Sequence, residues 1–155
     1  MRAFVIGALA AALLCLATLL PAPADDLQSP LGLWKTIDDK TGAPRVIVRI
    51  YTENGKYFGL IEKSFTPGAE SRVCAVCSDD RRNHPIIGLQ IIRGMIRRDD
   101  EYAGGEILDP DSGWIYRCKF HLQDGGRKLI VRGYLGFSLF GRSQTWTREQ
   151  PGNAQ

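Results

Sequence analysis

Trp114-Ile115-Tyr116-Arg117-Cys118-Lys119-Phe120-His121-Leu122 is the stretch that decides the fold. Trp114, Tyr116, Cys118, Phe120 and Leu122 alternate with Arg117, Lys119 and His121, and a period of two is the signature of a β-strand with one face in a core and the other in water. The same alternation, cut by turn residues, runs from Tyr102 to Trp146 and reads as a β-meander. On one side, Asp109-Pro110-Asp111-Ser112-Gly113 has Asp, Pro and Gly where a tight turn wants them. On the other, Gln123 to Gly126 turns the chain into a strand over Lys128 to Tyr134. An apolar connector from Leu135 to Gly141 then leads to a last strand over Arg142 to Arg148.

Upstream, Gly32 to Ile37 is the first strand, followed by turn residues from Asp38 to Pro44. Arg45 to Thr52 and Lys56 to Lys63 form a hairpin about Asn54-Gly55, the strongest short hairpin signal. Ser64 to Pro85 has no periodicity, and loops of that length are usually functional or covalently tied. A strand resumes over Ile86 to Arg97, and the next, Tyr102 to Leu108, contains Gly104-Gly105, the mark of a bulge or close backbone approach. About eight short strands and no amphipathic helix of standard length predict an all-β fold: a closed antiparallel barrel, with a β-sandwich as the alternative.

The chain starts with Met1-Arg2, an apolar run from Ala3 to Leu20, and Ala22-Pro23-Ala24. Charge, apolar run and small residues in that order predict a secretory signal peptide over residues 1–24, cleaved after Ala24, and therefore a periplasmic or secreted protein with no transmembrane segment after cleavage. Residues 25–155 then form one domain, with a barrel core over 31–148. The formal charge is +3 and drops by one when Arg2 is removed, so nothing points to a nucleic-acid partner. Cys15 is discarded with the signal, which leaves Cys74, Cys77 and Cys118 as disulfide candidates in an oxidising compartment, one pair and one leftover.

Gly32-Leu33-Trp34 on the first strand and Trp146-Thr147-Arg148 on the last resemble the lipocalin and calycin arrangement, in which an arginine of the final strand covers a Gly-x-Trp tryptophan at the closed end. Arg148 would lay its guanidinium on Trp34 and close the barrel. A second likeness spans about Gly32 to Arg148. Cys74-Ala75-Val76-Cys77, Pro85-Ile86-Ile87-Gly88-Leu89, Gly104-Gly105-Glu106-Ile107-Leu108-Asp109-Pro110, Tyr116-Arg117-Cys118 and Arg132-Gly133-Tyr134-Leu135-Gly136 resemble the exported bacterial family catalogued as domain of unknown function 2147. So does Gly141-Arg142-Ser143-Gln144-Thr145-Trp146. The resemblance implies an exported, eight-stranded lipocalin-like barrel and carries over neither an activity nor a catalytic residue.

Cys74-x-x-Cys77 fits a structural bridge, internal or to Cys118, better than a thiol-disulfide centre, because no helix follows to lower a thiol pKa. With Cys118-x-x-His121 it also spells a four-ligand zinc pattern, but three residues apart on a strand is opposite faces, so no metal and no cofactor are expected. Glu106, Asp109 and Asp111 are explained by strand and turn chemistry, and no catalytic residue is assigned. Arg72, Arg81, Arg82, Arg93, Arg97 and Arg98 cluster about the long loop and the strand after it. Two roles follow. In the first, the barrel binds a small, partly apolar molecule against Trp114, Tyr116, Phe120, Leu129 and Val131, with Ser64 to Pro85 as a lid. In the second, the barrel is a scaffold whose loop and arginine face over 64–98 contact an envelope protein or anionic polymer.

Overall fold

The computed structural model describes residues 27–150; the expected signal peptide and cleavage point lie outside them. The strands are β1 (Gly32–Ile37), β2 (Pro44–Glu53), β3 (Lys56–Ser64), β4 (Gln90–Arg98), β5 (Glu101–Leu108), β6 (Ile115–Gln123), β7 (Lys128–Tyr134) and β8 (Gly141–Glu149). Each pairs antiparallel with the next, and β8 pairs back to β1, so the sheet is a closed eight-stranded barrel rather than a sandwich. Closure removes the unpaired sheet edges that an open meander would leave.

Local chemistry sets most of these elements. Asn54 and Gly55 both take positive φ, 50° and 74°, as the two-residue turn between β2 and β3 requires. At Gly104 φ is 85° and the β5–β6 register slips between Ala103 and Gly105. A Cβ on Gly105 would lie 2.2 Å from the Arg93 carbonyl oxygen, so the glycine pair serves both as a bulge and as a close backbone approach. β4 starts four residues later than the apolar run predicts. Gly88 has φ of 88° and the Leu89 N–H bonds to Ile86 O, which makes Ile86 to Leu89 a turn, although Ile86 and Leu89 stay buried.

Trp114 is the larger departure. It lies outside β6, is 59% exposed, and has its carbonyl taken by Asp109 N–H, closing the turn from Asp109 to Trp114. The β5–β6 ladder ends at Leu108↔Ile115, so Trp114 sits past the last rung, and period-two parity no longer aims its side chain inward. From Cys118 onward the alternation holds: Cys118 and Phe120 are buried, while Arg117 and His121 face out.

The barrel has two different poles. β1 starts and β8 ends at the same one, together with the turns after β2, β4 and β6. The side chains just above it fill the tube: Tyr57 meets Tyr102 edge-on at 4.8 Å, Tyr102 stacks on Phe120 at 5.0 Å, and Leu129 and Met95 are fully buried beside them. The connections after β1, β3, β5 and β7 crown the other pole.

Candidate functional site

Trp34 and Arg148 stand opposite each other in the β1–β8 register. The guanidinium carbon lies 4.3 Å from the centre of the indole ring, and Trp34 is fully buried. Arg148 donates to the carbonyls of Gly126, Leu31 and Ser29 at 2.8, 2.8 and 2.6 Å, while Trp34 Nε1 donates to Pro30 O at 2.8 Å. One planar cation thus caps the tryptophan and ties the N-terminal lead to the β6–β7 turn. Gly32 explains the glycine of Gly-x-Trp: its φ is 119°, and a Cβ there would lie 3.3 Å from Arg148 Nη1.

At the other pole the tube is not filled. A cavity of about 420 Å³ opens there, walled by Ile61, Ile91, Ile107, Val131 and Trp146, with polar side chains such as Arg45, Asp111 and Arg142 at its rim. Of the five residues expected to meet a ligand, Tyr116 and Val131 line this cup. Phe120 and Leu129 belong to the filled half below it and Trp114 is outside, so these three do not line it. Strand parity finds inward rows but not depth. A depth signal exists in side-chain size: β7 carries Gly133 opposite Cys118, one rung from Tyr134 at the mouth, and large rings such as Phe120 lie lower.

The long connection between β3 and β4 is part of the wall rather than a lid. Thr66, Arg72 and Ile86 line the cup, Val73 bridges to Pro85, and a single 3₁₀ turn spans Ala69–Ser71. Cys74 and Cys77 are bonded to each other with Cα atoms 5.5 Å apart, and both are fully buried against the core. Cys118 is free, and burial pushes its thiol up to about 12. The four-residue zinc pattern is therefore not assembled: two of its thiols are joined, and Cys118 and His121 face opposite sides of β6.

Arg81 anchors the loop, which sequence reasoning missed. Only 1% exposed, it donates to Asp79, to Glu106 Oε1 at 2.9 Å and to Gln90 O at 3.2 Å. The Arg81 hydrogen bonds to Asp79 hold its carboxyl at about 2, below its ordinary 3.8. Arg93 reaches Asp80 Oδ1 at 2.7 Å, and this hydrogen bond lowers the Asp80 pKa. Arg72 pairs with Asp111 at 3.3 Å. Three of the six clustered arginines are thus matched to carboxylates, and the cluster is not an unbroken cationic face. The carboxylates are engaged too: Asp109 accepts from Asp111 N–H and Ser112 Oγ to build its turn, Asp111 faces Arg45 and Arg72, and Glu106 receives Arg81.

A closed barrel plugged at one pole by a Trp–Arg pair and hollow at the other is a lipocalin-like architecture. A solved structure described as "Protein HP1028 from the human pathogen Helicobacter pylori belongs to the lipocalin family" is similar to it, with a TM-score of 0.70 and 17% identity over 81% of this chain and 86% of that one. That likeness concerns the fold. The family model for "Uncharacterized protein conserved in bacteria (DUF2147)" matches residues 32–148, so the chain belongs to that family. No curated protein matches the chain.

Proposed function

We propose that this protein is an exported binding protein, not an enzyme, that holds one small, largely apolar molecule in the open half of its barrel. The observation that carries this is the cup itself, about 420 Å³ with an aliphatic wall and a charged rim, in the size range of sites that enclose small ligands. Export is supported by the pattern of residues 1–24 and by the Cys74–Cys77 bond, which suits an oxidising compartment. The pairing of Arg72, Arg81 and Arg93 with carboxylates weakens the polymer-scaffold alternative.

The test is titration with the apolar fluorophore N-phenyl-1-naphthylamine, alongside native mass spectrometry of protein purified from its own envelope. Val131→Phe places a ring in the cup and should abolish the fluorescence gain while leaving the fold intact by circular dichroism. Equal uptake by Val131→Phe and the parent protein would sink the proposal. Uptake that collapses with salt would favour a charged surface site instead.

A further inference from the structure

The connection between β7 and β8, Leu135-Gly136-Phe137-Ser138-Leu139-Phe140, stands at the rim of the cup with its apolar side chains turned to the outside. Phe137 and Leu139 are each 81% exposed, Phe140 71% and Leu135 49%. Contiguous exposed apolar surface of this kind is often functional in a monomeric protein. We propose that this loop is a bilayer-docking tip, which seats in the headgroup–acyl boundary of an uncharged or zwitterionic membrane and turns the barrel mouth toward lipid.

Three observations choose the bilayer over other occupants. The first is the backbone. Phe140 O accepts from Leu135 N–H, Phe137 O accepts from Phe140 N–H, and Arg132 donates to Ser138 O at 2.7 Å and to Leu139 O at 3.2 Å. The four successive carbonyls from Phe137 to Phe140 are therefore bonded from within the protein, which lowers the cost of taking the tip out of water. The second is charge. Most rim cations face carboxylates, Arg142 facing Asp39 and Arg45 and Arg72 facing Asp111, while Arg132 is held by the tip carbonyls and Ser143, so the rim is no concentrated cationic patch of the kind that selects anionic lipid. The third is area. Four such side chains present roughly 500 Å², short of the about 800 Å² per partner of a stable protein interface, which argues against a second copy of the chain. Insertion of such a tip by about 5–10 Å requires no matching face.

Leu135 and Phe140 also line the cup, so apolar surface runs without interruption from the tip into the cavity. A molecule exchanged between cup and bilayer would stay out of water. This consequence rests on the proposed ligand site, whereas the docking does not.

The test is co-sedimentation of the purified protein with phosphatidylcholine vesicles, in dilute and in concentrated salt, comparing the parent with Phe137→Ser/Leu139→Ser. Neither residue lines the cup, and both are exposed, so the variant should fold and should take up N-phenyl-1-naphthylamine as the parent does. Expected is salt-insensitive binding by the parent and a loss of about tenfold or more in the variant. No parent binding overturns the proposal, as does equal binding by the variant, or concentration-dependent dimerisation that the double substitution abolishes without any vesicle binding. Vesicle binding with no uptake of the fluorophore by either protein would leave the docking tip standing and remove the ligand site.

Discussion

Arg148→Ala removes the plug from the closed pole. The parent guanidinium makes charged hydrogen bonds to Gly126 O, Leu31 O and Ser29 O and covers the face of Trp34. A bond to an exposed carbonyl such as Leu31 O is largely replaced by water, about 0.5 kcal/mol, while the two to partly buried carbonyls are worth about 1–1.5 kcal/mol each. The cation–π contact adds about 1 kcal/mol, and the loss comes to about 3.5–4.5 kcal/mol. Arg148→Lys keeps the charge and one donor direction but not the planar fork, so it should recover less than half. Urea unfolding followed by far-ultraviolet circular dichroism measures both, and tryptophan emission of the folded Ala variant should shift as Trp34 gains water. A loss below about 1 kcal/mol, or a lysine variant as stable as the parent, would refute the plug. Uptake of an apolar probe should not change in either, because the cup lies at the opposite pole.

Other outcomes follow from the same geometry. Cys118 should resist a thiol reagent at pH 8 in the native protein and react fully once urea unfolds it, since burial holds its thiol up at about 12; native labelling would contradict the packing of β6. Asp79 has its folded pKa lowered, so its stabilising contribution is complete above about 3.8 and disappears as pH falls through about 2; the stability gap between the parent and Asp79→Asn should therefore narrow across that window in acid titrations. Cys74→Ala/Cys77→Ala should lower stability by about 2 kcal/mol, the entropy of so short a loop, and any larger loss reports on packing of the buried pair. Gly105→Ala should cost more than either, because its Cβ would meet the Arg93 carbonyl and Met95, and thermal melting would show it.

The barrel was legible in the sequence because β6 and β7 alternate wet and dry and the tight turns carry their own chemistry. Asn54-Gly55 and Gly104-Gly105 do in the structure what those dipeptides predict. Reading failed where the signal was not local. Trp114 keeps the parity of Tyr116, but parity applies only while the ladder continues, and the turn at Gly113 packs against Val76 before it begins. Arg81 sits in a run of charges that looks solvated; its burial depends on Glu106 and on the Gln90 carbonyl, both brought by other strands. The division of the tube into a filled half and a hollow half was likewise invisible to alternation, which is identical in both, and depends on which rungs carry rings and which carry glycine.

The joint between β1 and β8 has a further meaning for how the molecule is made. The tube is sealed by pairing its first strand with its last, and the cap over Trp34 arrives only with Arg148, after the other seven strands. Until β8 is in place the polypeptide is a curling ribbon with a naked rim at each side, the kind of species that sticks to its neighbours. A chain stopped before Gly141 should therefore behave as an aggregating ribbon rather than as a slightly smaller cylinder, and assembly in the cell should be an all-or-nothing event timed by the arrival of the final nine residues of the sheet.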